Sequence, residues 1–162
     1  MAEIKRIDHI AVLVNDIESA ATFWRDALGI ELTKVTDVPA EGAQVAFLPV
    51  GASEIELVKP TTADSGLARY LQTRGPGMHH ICLEVDDIAG VITRLQEHGV
   101  EMINPEPRLS AQGKKYAFVH PKSTGGVLVE LYEVGAATPP PPPPPQGGGG
   151  WGGTPARPPP PP

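Results

Sequence analysis

Two histidines and two glutamates recur at equivalent places along this chain. His9 opens the stretch His9-Ile10-Ala11-Val12-Leu13-Val14-Asn15-Asp16-Ile17, and His80 opens His80-Ile81-Cys82-Leu83-Glu84-Val85-Asp86-Asp87-Ile88. Five of the nine paired positions are identical. Glu56, between Ile55 and Leu57, is matched by Glu130, between Val129 and Leu131; the offsets are 71 residues for the histidines and 74 for the glutamates. Taken singly, a strand histidine is more often structural and a strand glutamate solvated, but recurrence of the pair in both copies is not readily placed by chance. A carboxylate between apolar neighbours is costly to bury unless paired or ligated. Two imidazoles and two carboxylates form an N/O donor set suited to Zn, Co, Ni, Mn or Fe. His9, Glu56, His80 and Glu130 are therefore candidate ligands of one divalent cation.

The elements that must carry these residues repeat as well. Residues 4–14 alternate and are rich in β-branched side chains, which predicts a strand. Asp16 can cap a helix whose apolar residues Ile17, Ala20, Ala21, Trp24, Ala27 and Leu28 fall at helical spacing and which Gly29 ends. Strands are expected over 30–36, 44–50 and 54–59. The second copy predicts a strand over 78–85, a helix over 87–98, and strands near Met102 and over 115–120 and 127–133. The first helix runs one residue longer than its counterpart. A short helix over 65–74 joins the copies. The expected fold is α+β: two βαβββ modules, about 4–60 and 78–134, with sheets curved around one metal-binding cleft. Residues two apart on a strand share a face, so His79 is expected to point away from His80 as a structural or supporting residue. His98 suits a helix C-terminus, and Cys82 reads as a small buried apolar residue.

Composition sets the limits. Residues 139–162 number 24, of which 13 are Pro and 6 are Gly, with Trp151 the one large apolar side chain. Such a segment cannot offset its ordering entropy, so the expectation is one domain over 3–135 and a disordered tail over 136–162. The net charge is −6, which argues against nucleic acid as partner. No apolar run is long enough to span a membrane, the first residues lack the apolar stretch of a signal peptide, and a single cysteine fits a reducing cytoplasm. On an acidic protein an anionic ligand needs a local basic cluster. Lys114 and Lys115, with Arg108 and Lys122 near Gly113, could hold phosphates, or could simply be solvated loop lysines.

With these residues in view, the chain resembles the vicinal oxygen chelate (glyoxalase-like) superfamily, and within it the methylmalonyl-CoA epimerase family. The resemblance rests on Ile7-Asp8-His9-Ile10-Ala11-Val12, Ile55-Glu56-Leu57, Asp64-Ser65, Gly77-Met78-His79-His80-Ile81, Phe118-Val119-His120-Pro121-Lys122-Ser123 and Gly126-Val127-Leu128-Val129-Glu130-Leu131. It implies His9, His80 and Glu130 as metal ligands and Glu56 at a fourth position. It also implies a divalent ion, cobalt first with Mn, Zn or Ni as alternatives, an acyl-CoA substrate and a homodimer. Relatives carry a glutamate in the turn before the third strand as a proton carrier. Here Pro39-Ala40-Glu41-Gly42 places Ala40 at the ungapped position and Glu41 one residue later.

The expected reaction is removal and return of the proton α to a thioester, the developing negative charge being stabilised by the ion. Two proton carriers on opposite faces serve such an epimerisation, each contributing about 10²–10⁴ in rate; Glu41 and Glu130 are the candidates, with Glu56 a substitute. A cation beside Glu130 weakens it as a base. The nearest rival is a lactoylglutathione lyase (glyoxalase I), with a similar His/Glu/His/Glu set; its relatives more often show an Asp-Pro-Asp-Gly-like turn where this chain has His120-Pro121-Lys122-Ser123. A metal-free small-molecule-binding protein of the same fold is the rival from outside enzymes.

Overall fold

The computed structural model describes residues 2–134; the Pro/Gly-rich tail expected over 136–162 lies outside the described residues. Within them the first copy supplies β1 (Ile4–Leu13), α1 (Ile17–Ala21), β2 (Lys34–Val38), β3 (Ala43–Val50) and β4 (Ser53–Pro60). After a linking helix α2 (Gly66–Arg74), the second copy supplies β5 (Gly77–Val85), α3 (Ile88–Glu97), β6 (Arg108–Leu109), β7 (Lys115–Val119) and β8 (Val129–Glu133). All eight strands join one open mixed sheet in the order β2-β3-β4-β1-β5-β8-β7-β6. The order is symmetric about its central pair. β1 and β5 are antiparallel, each is parallel to the last strand of its own module (β4 and β8), and β3 and β7 add antiparallel outside these. The two modules are therefore halves of one sheet, continuous through β1 and β5. None of the helices among the described residues is long and apolar enough to cross a membrane.

The repeated caps start the helices as the sequence requires. Asp16 accepts a hydrogen bond from the Ser19 amide at 2.9 Å, and Asp87 accepts one from the Gly90 amide at 3.1 Å, each satisfying an N–H that the helix leaves unpaired. Helix α3 then buries Ile88, Val91 and Ile92 against Val85, Ala117, Val119 and Leu131 on one face of the sheet. On the same face in the first half, Ile17 packs with Val14, Ala46, Leu48 and Leu57. The opposite face carries His9 and His80. There α2 covers the first half, with Leu67, Tyr70 and Leu71 on Leu13, Ala43, Val45 and Val58. No helix among the described residues packs the same way over β5, β7 and β8, where Glu84, Tyr116, Phe118 and Tyr132 are half-buried.

Three expectations need correction. The first helix is α-helical only to Ala21 and continues as a π turn over Thr22–Ala27, closed by Leu28 N–H to Phe23 O at 2.9 Å. This wider winding takes up the residue by which the first copy exceeds the second, and it keeps Trp24 on the Leu48 cluster. The strand expected over 30–36 begins at Lys34, because the ladder with β3 starts at Lys34 opposite Phe47; Ile30 and Leu32 serve as packing residues instead. The strand expected near Met102 shrinks to one bridge with Val119 and the two-residue β6. Pro105 and Pro107 lack the N–H a ladder needs, and the Asn104 side chain takes the Phe118 amide at 2.9 Å in place of a strand carbonyl.

The turn before β3 is set by Gly42, which follows a 3₁₀ turn over Pro39–Glu41 at φ +60°. A Cβ there would stand 2.9 Å from Thr62 Oγ1 and 3.3 Å from Ser65 Cβ. Gly42→Ala is expected to lose about 1–2 kcal/mol from the left-handed backbone alone, with crowding adding to it. Equilibrium urea unfolding measures this; unchanged stability would mean that the turn can re-form without its glycine.

Candidate metal centre

Strand register brings the four predicted residues to one point. In the central pair His9 lies opposite Cys82 and His80 opposite Ala11. Ala11 in turn lies opposite Glu56 on β4, and Cys82 opposite Glu130 on β8. Two rows result, Glu56–Ala11–His80 and Glu130–Cys82–His9, related by the symmetry of the sheet. Ala11 and Cys82 are both fully buried. Their small side chains leave the middle of each row low, so the longer side chains converge above them. His9 Nε2 is 3.1 Å from His80 Nε2, 3.0 Å from Glu56 Oε2 and 3.5 Å from Glu130 Oε2; His80 Nε2 is 3.0 Å from Glu130 Oε2. Donors bound at about 2.1 Å and subtending right or tetrahedral angles at an ion stand roughly 3.0–3.4 Å apart, so the spacing fits a divalent cation. His9, His80 and Glu130 form the tightest group, and Glu56 joins through His9.

Each imidazole is also held from behind. The Nδ1–H of His9 donates to Asp8 Oδ2 at 2.8 Å, and His80 Nδ1 lies 2.8 Å from His79 Nδ1. This overturns the expectation that His79 points away from its neighbour. The β1–β5 register slips by one residue at Asp8 and by one at His79, and each bulge breaks the alternation that parity assumes. Asp8 went unnoticed in the sequence, although it stands to His9 as His79 stands to His80 in the repeat.

The electrostatics divide the carboxylates. Burial pushes Glu130 upward, but hydrogen bonds from His80 and His9 outweigh it and hold the group at about 2. Burial pushes Glu56 up to about 7, with His9 pulling it down and Glu130 pushing it further up. Burial opposes a proton on His9, yet hydrogen bonds to Asp8, Cys82 and Glu130 raise it to about 12. Glu41 stands on an exposed turn, yet partial desolvation of its carboxyl and then the charge of Glu130 raise it, while His80 and His9 lower it. It therefore shares the field of the four-residue cluster from the 3₁₀ turn.

The two basic candidates part company. Lys114 Nζ sits 5.4 Å from the Tyr132 ring centroid, on the site face with Glu130. Lys115 faces the other way and pairs with Glu133 at 3.8 Å, while the second carboxylate oxygen of Glu133 accepts from the Ile88 amide at the start of α3. His98 closes α3 as expected, its Nδ1 2.8 Å from the Arg94 carbonyl. Cys82 is buried as expected, and burial pushes its thiol to about 12.

A paired-module sheet with a His/Glu/His/Glu cluster at its centre defines a glyoxalase-like protein, and residues 8–118 match the Glyoxalase/Bleomycin resistance protein/Dioxygenase superfamily. The chain is 39% identical over 130 residues to the mitochondrial methylmalonyl-CoA epimerase of Mus musculus, covering 80% of this chain and 73% of that one. It is 40% identical over 133 residues to the ethylmalonyl-CoA/methylmalonyl-CoA epimerase of Cereibacter sphaeroides, covering 81% and 99% respectively. A methylmalonyl-CoA epimerase solved in complex with methylmalonyl-CoA and NH4+ superposes with a TM-score of 0.74 at 31% identity, over 83% of this chain and 97% of that one. The chain belongs to the glyoxalase/bleomycin resistance/dioxygenase superfamily and, within it, to the methylmalonyl-CoA epimerase family.

Cation binding requires a free lone pair on His9 Nε2, so the proton that the metal-free site holds there must leave. Because that proton is retained up to about 12, affinity for Mn²⁺ is expected to rise with pH across the neutral range, about tenfold per unit for each proton released. Below about 7 Glu56 is protonated too, and the slope should steepen toward two protons. Titration calorimetry in two buffers of different ionisation heat counts the protons; binding without release would show that His9 is not displaced.

Proposed function

We propose that this chain interconverts the two stereoisomers of methylmalonyl-CoA, and that His9, Glu56, His80 and Glu130 hold a divalent ion at the reacting centre. The observation that carries this reading is the convergence of His9, His80 and Glu130 within 3.0–3.5 Å of one another, with Glu56 3.0 Å from His9, on the sheet face that α2 leaves uncovered in the second half. A bound divalent ion supplies Lewis-acid stabilisation for negative charge developing on the thioester oxygen. The chain's own residues supply position and proton transfer. Glu41 lies outside the hydrogen-bonded imidazole set, and its carboxyl is shifted toward the protonated form, the direction a proton carrier needs. Glu130 is the second proton carrier in this reading. Its imidazole hydrogen bonds make it a weak base, so Glu56, which burial pushes up to about 7 in the metal-free site, is the substitute for the same task.

The lyase alternative is weaker, since the relatives at 39–40% identity are named for the epimerase. Cobalt as the preferred ion and a homodimer belong to the same proposal through the family resemblance. A cytoplasmic location belongs to it through the single cysteine. The tail is assigned no part in catalysis. At the coenzyme end the proposal keeps Lys114, on the site face beside Tyr132, as a phosphate partner; Lys115 lies across the sheet.

Two measurements test this. Exchange of the substrate α-hydrogen with heavy water is expected to fall at least a hundredfold in Glu41→Gln, and in either Glu130→Gln or Glu56→Gln. Wild-type exchange in all three would remove the carboxylates as proton carriers. Lys114→Ala is expected to raise KM for the acyl-CoA several-fold with kcat little changed, whereas Lys115→Ala leaves KM alone. Equal effects of the two would contradict the facial division.

A further inference from the structure

Three register shifts interrupt the central strand pair, one at Lys5 near its end and one at the residue before each candidate ligand histidine. Between Ile7 and His9, β1 advances two residues while β5 advances one; between His80 and Met78, β5 advances two while β1 advances one. The extra residues are Asp8 and His79, equivalent positions of the repeat. Each bulge turns its side chain onto the Nδ1 atom of the next residue, at 2.8 Å in both cases. Each turned residue is itself braced. Asp8 accepts from Arg6 Nη2 at 2.9 Å through its other oxygen, and Arg6 also pairs with Glu84. The His79 ring meets Tyr70 of α2 edge-on, centroids 4.9 Å apart.

From this geometry we infer that Asp8 and His79 are positioning residues for the two halves of the metal centre, and that they act unequally, Asp8 through an anionic acceptor and His79 through a neutral one. The inference rests on the metal-centre reading above. A carboxylate only accepts, so Asp8 fixes the Nδ1–H tautomer of His9 and turns the Nε2 lone pair toward Glu56, Glu130 and His80. A facing pair of Nδ1 atoms needs one proton between them. With that proton on His80 and the lone pair on His79, His80 likewise presents a free Nε2. The negative charge behind His9 makes it the stronger electron donor of the two. His80 is oriented without that charge, and its brace runs through Tyr70 into the helix that links the modules. The symmetry of the sheet thus ends at the atoms behind the ligands.

The test is Mn²⁺ or Co²⁺ affinity of the full chain, measured by chelator competition, with the visible absorption of the Co²⁺-loaded protein as a second readout. Asparagine carries an acceptor oxygen where histidine carries Nδ1; glutamine places it one atom further out, and leucine has none. Asp8→Asn and His79→Leu are each expected to weaken binding about tenfold to a hundredfold. His79→Asn should stay within about threefold of wild type and keep the Co²⁺ spectrum. If His79→Leu does not fold, His79→Gln takes its place, with the same expected weakening. Wild-type affinity in His79→Leu or His79→Gln, or equal losses in His79→Asn and His79→Leu, would overturn the acceptor role of His79. Wild-type affinity in Asp8→Asn would overturn the inequality. Failure of the underlying reading looks different: wild-type protein would bind less than one equivalent, or Glu130→Gln would bind as tightly as wild type.

Discussion

Everything about the site depends on how β1 pairs with β5. That antiparallel register sets His9 opposite Cys82 and His80 opposite Ala11, and the parallel partners β4 and β8 then bring Glu56 and Glu130 to the same rows. The result gathers two carboxylates and two imidazoles, each only 12–16% exposed; His9, His80 and Glu130 lie within 3.5 Å of one another, and Glu56 reaches the set through His9 alone. Like charges so close and so poorly solvated are tolerated only with positive charge among them. In the metal-free site a proton on His9 supplies part of it; in the proposed holoprotein a cation does.

The duplicated unit is not used twice in the same way. In the first half α2 lies across the site face and completes a core with Leu13, Ala43, Val45 and Val58. In the second half the corresponding face keeps Tyr116, Phe118, Tyr132 and Lys114 half-buried. One half thus closes one side of the cluster while the other leaves an approach to it, which a substrate as long as an acyl-CoA requires. Smaller departures follow the same logic. The π turn in the first helix absorbs a residue that the second lacks, and the second strand of the second copy gives way to prolines and a hydrogen bond from the Phe118 amide to the Asn104 side chain.

The repeat in the sequence made the main features legible. His/Glu spacing, the capping aspartates Asp16 and Asp87 and the helix-ending glycines all reflect local chemistry, and they identified the elements and the four residues now found clustered. Edge elements were less legible, because β2 and β6 exist only where a neighbour offers a ladder. Lys114 and Lys115 read as a pair until strand alternation separated them. Asp8 carries no local signal of its supporting place and His79 is assigned the wrong direction for one reason: parity counting assumes a regular strand, and a bulge is decided by pairing between two segments 71 residues apart in the chain.

The sequence by itself therefore determined which residues could meet and which modules would carry them, since composition, capping and strand periodicity act over a few residues. Only the tertiary structure decided that the modules share one continuous sheet, that α2 covers one half of its site face, and that each histidine is turned by the residue before it. These outcomes depend on register and packing between distant segments, where a slip of one residue moves a side chain to the other face.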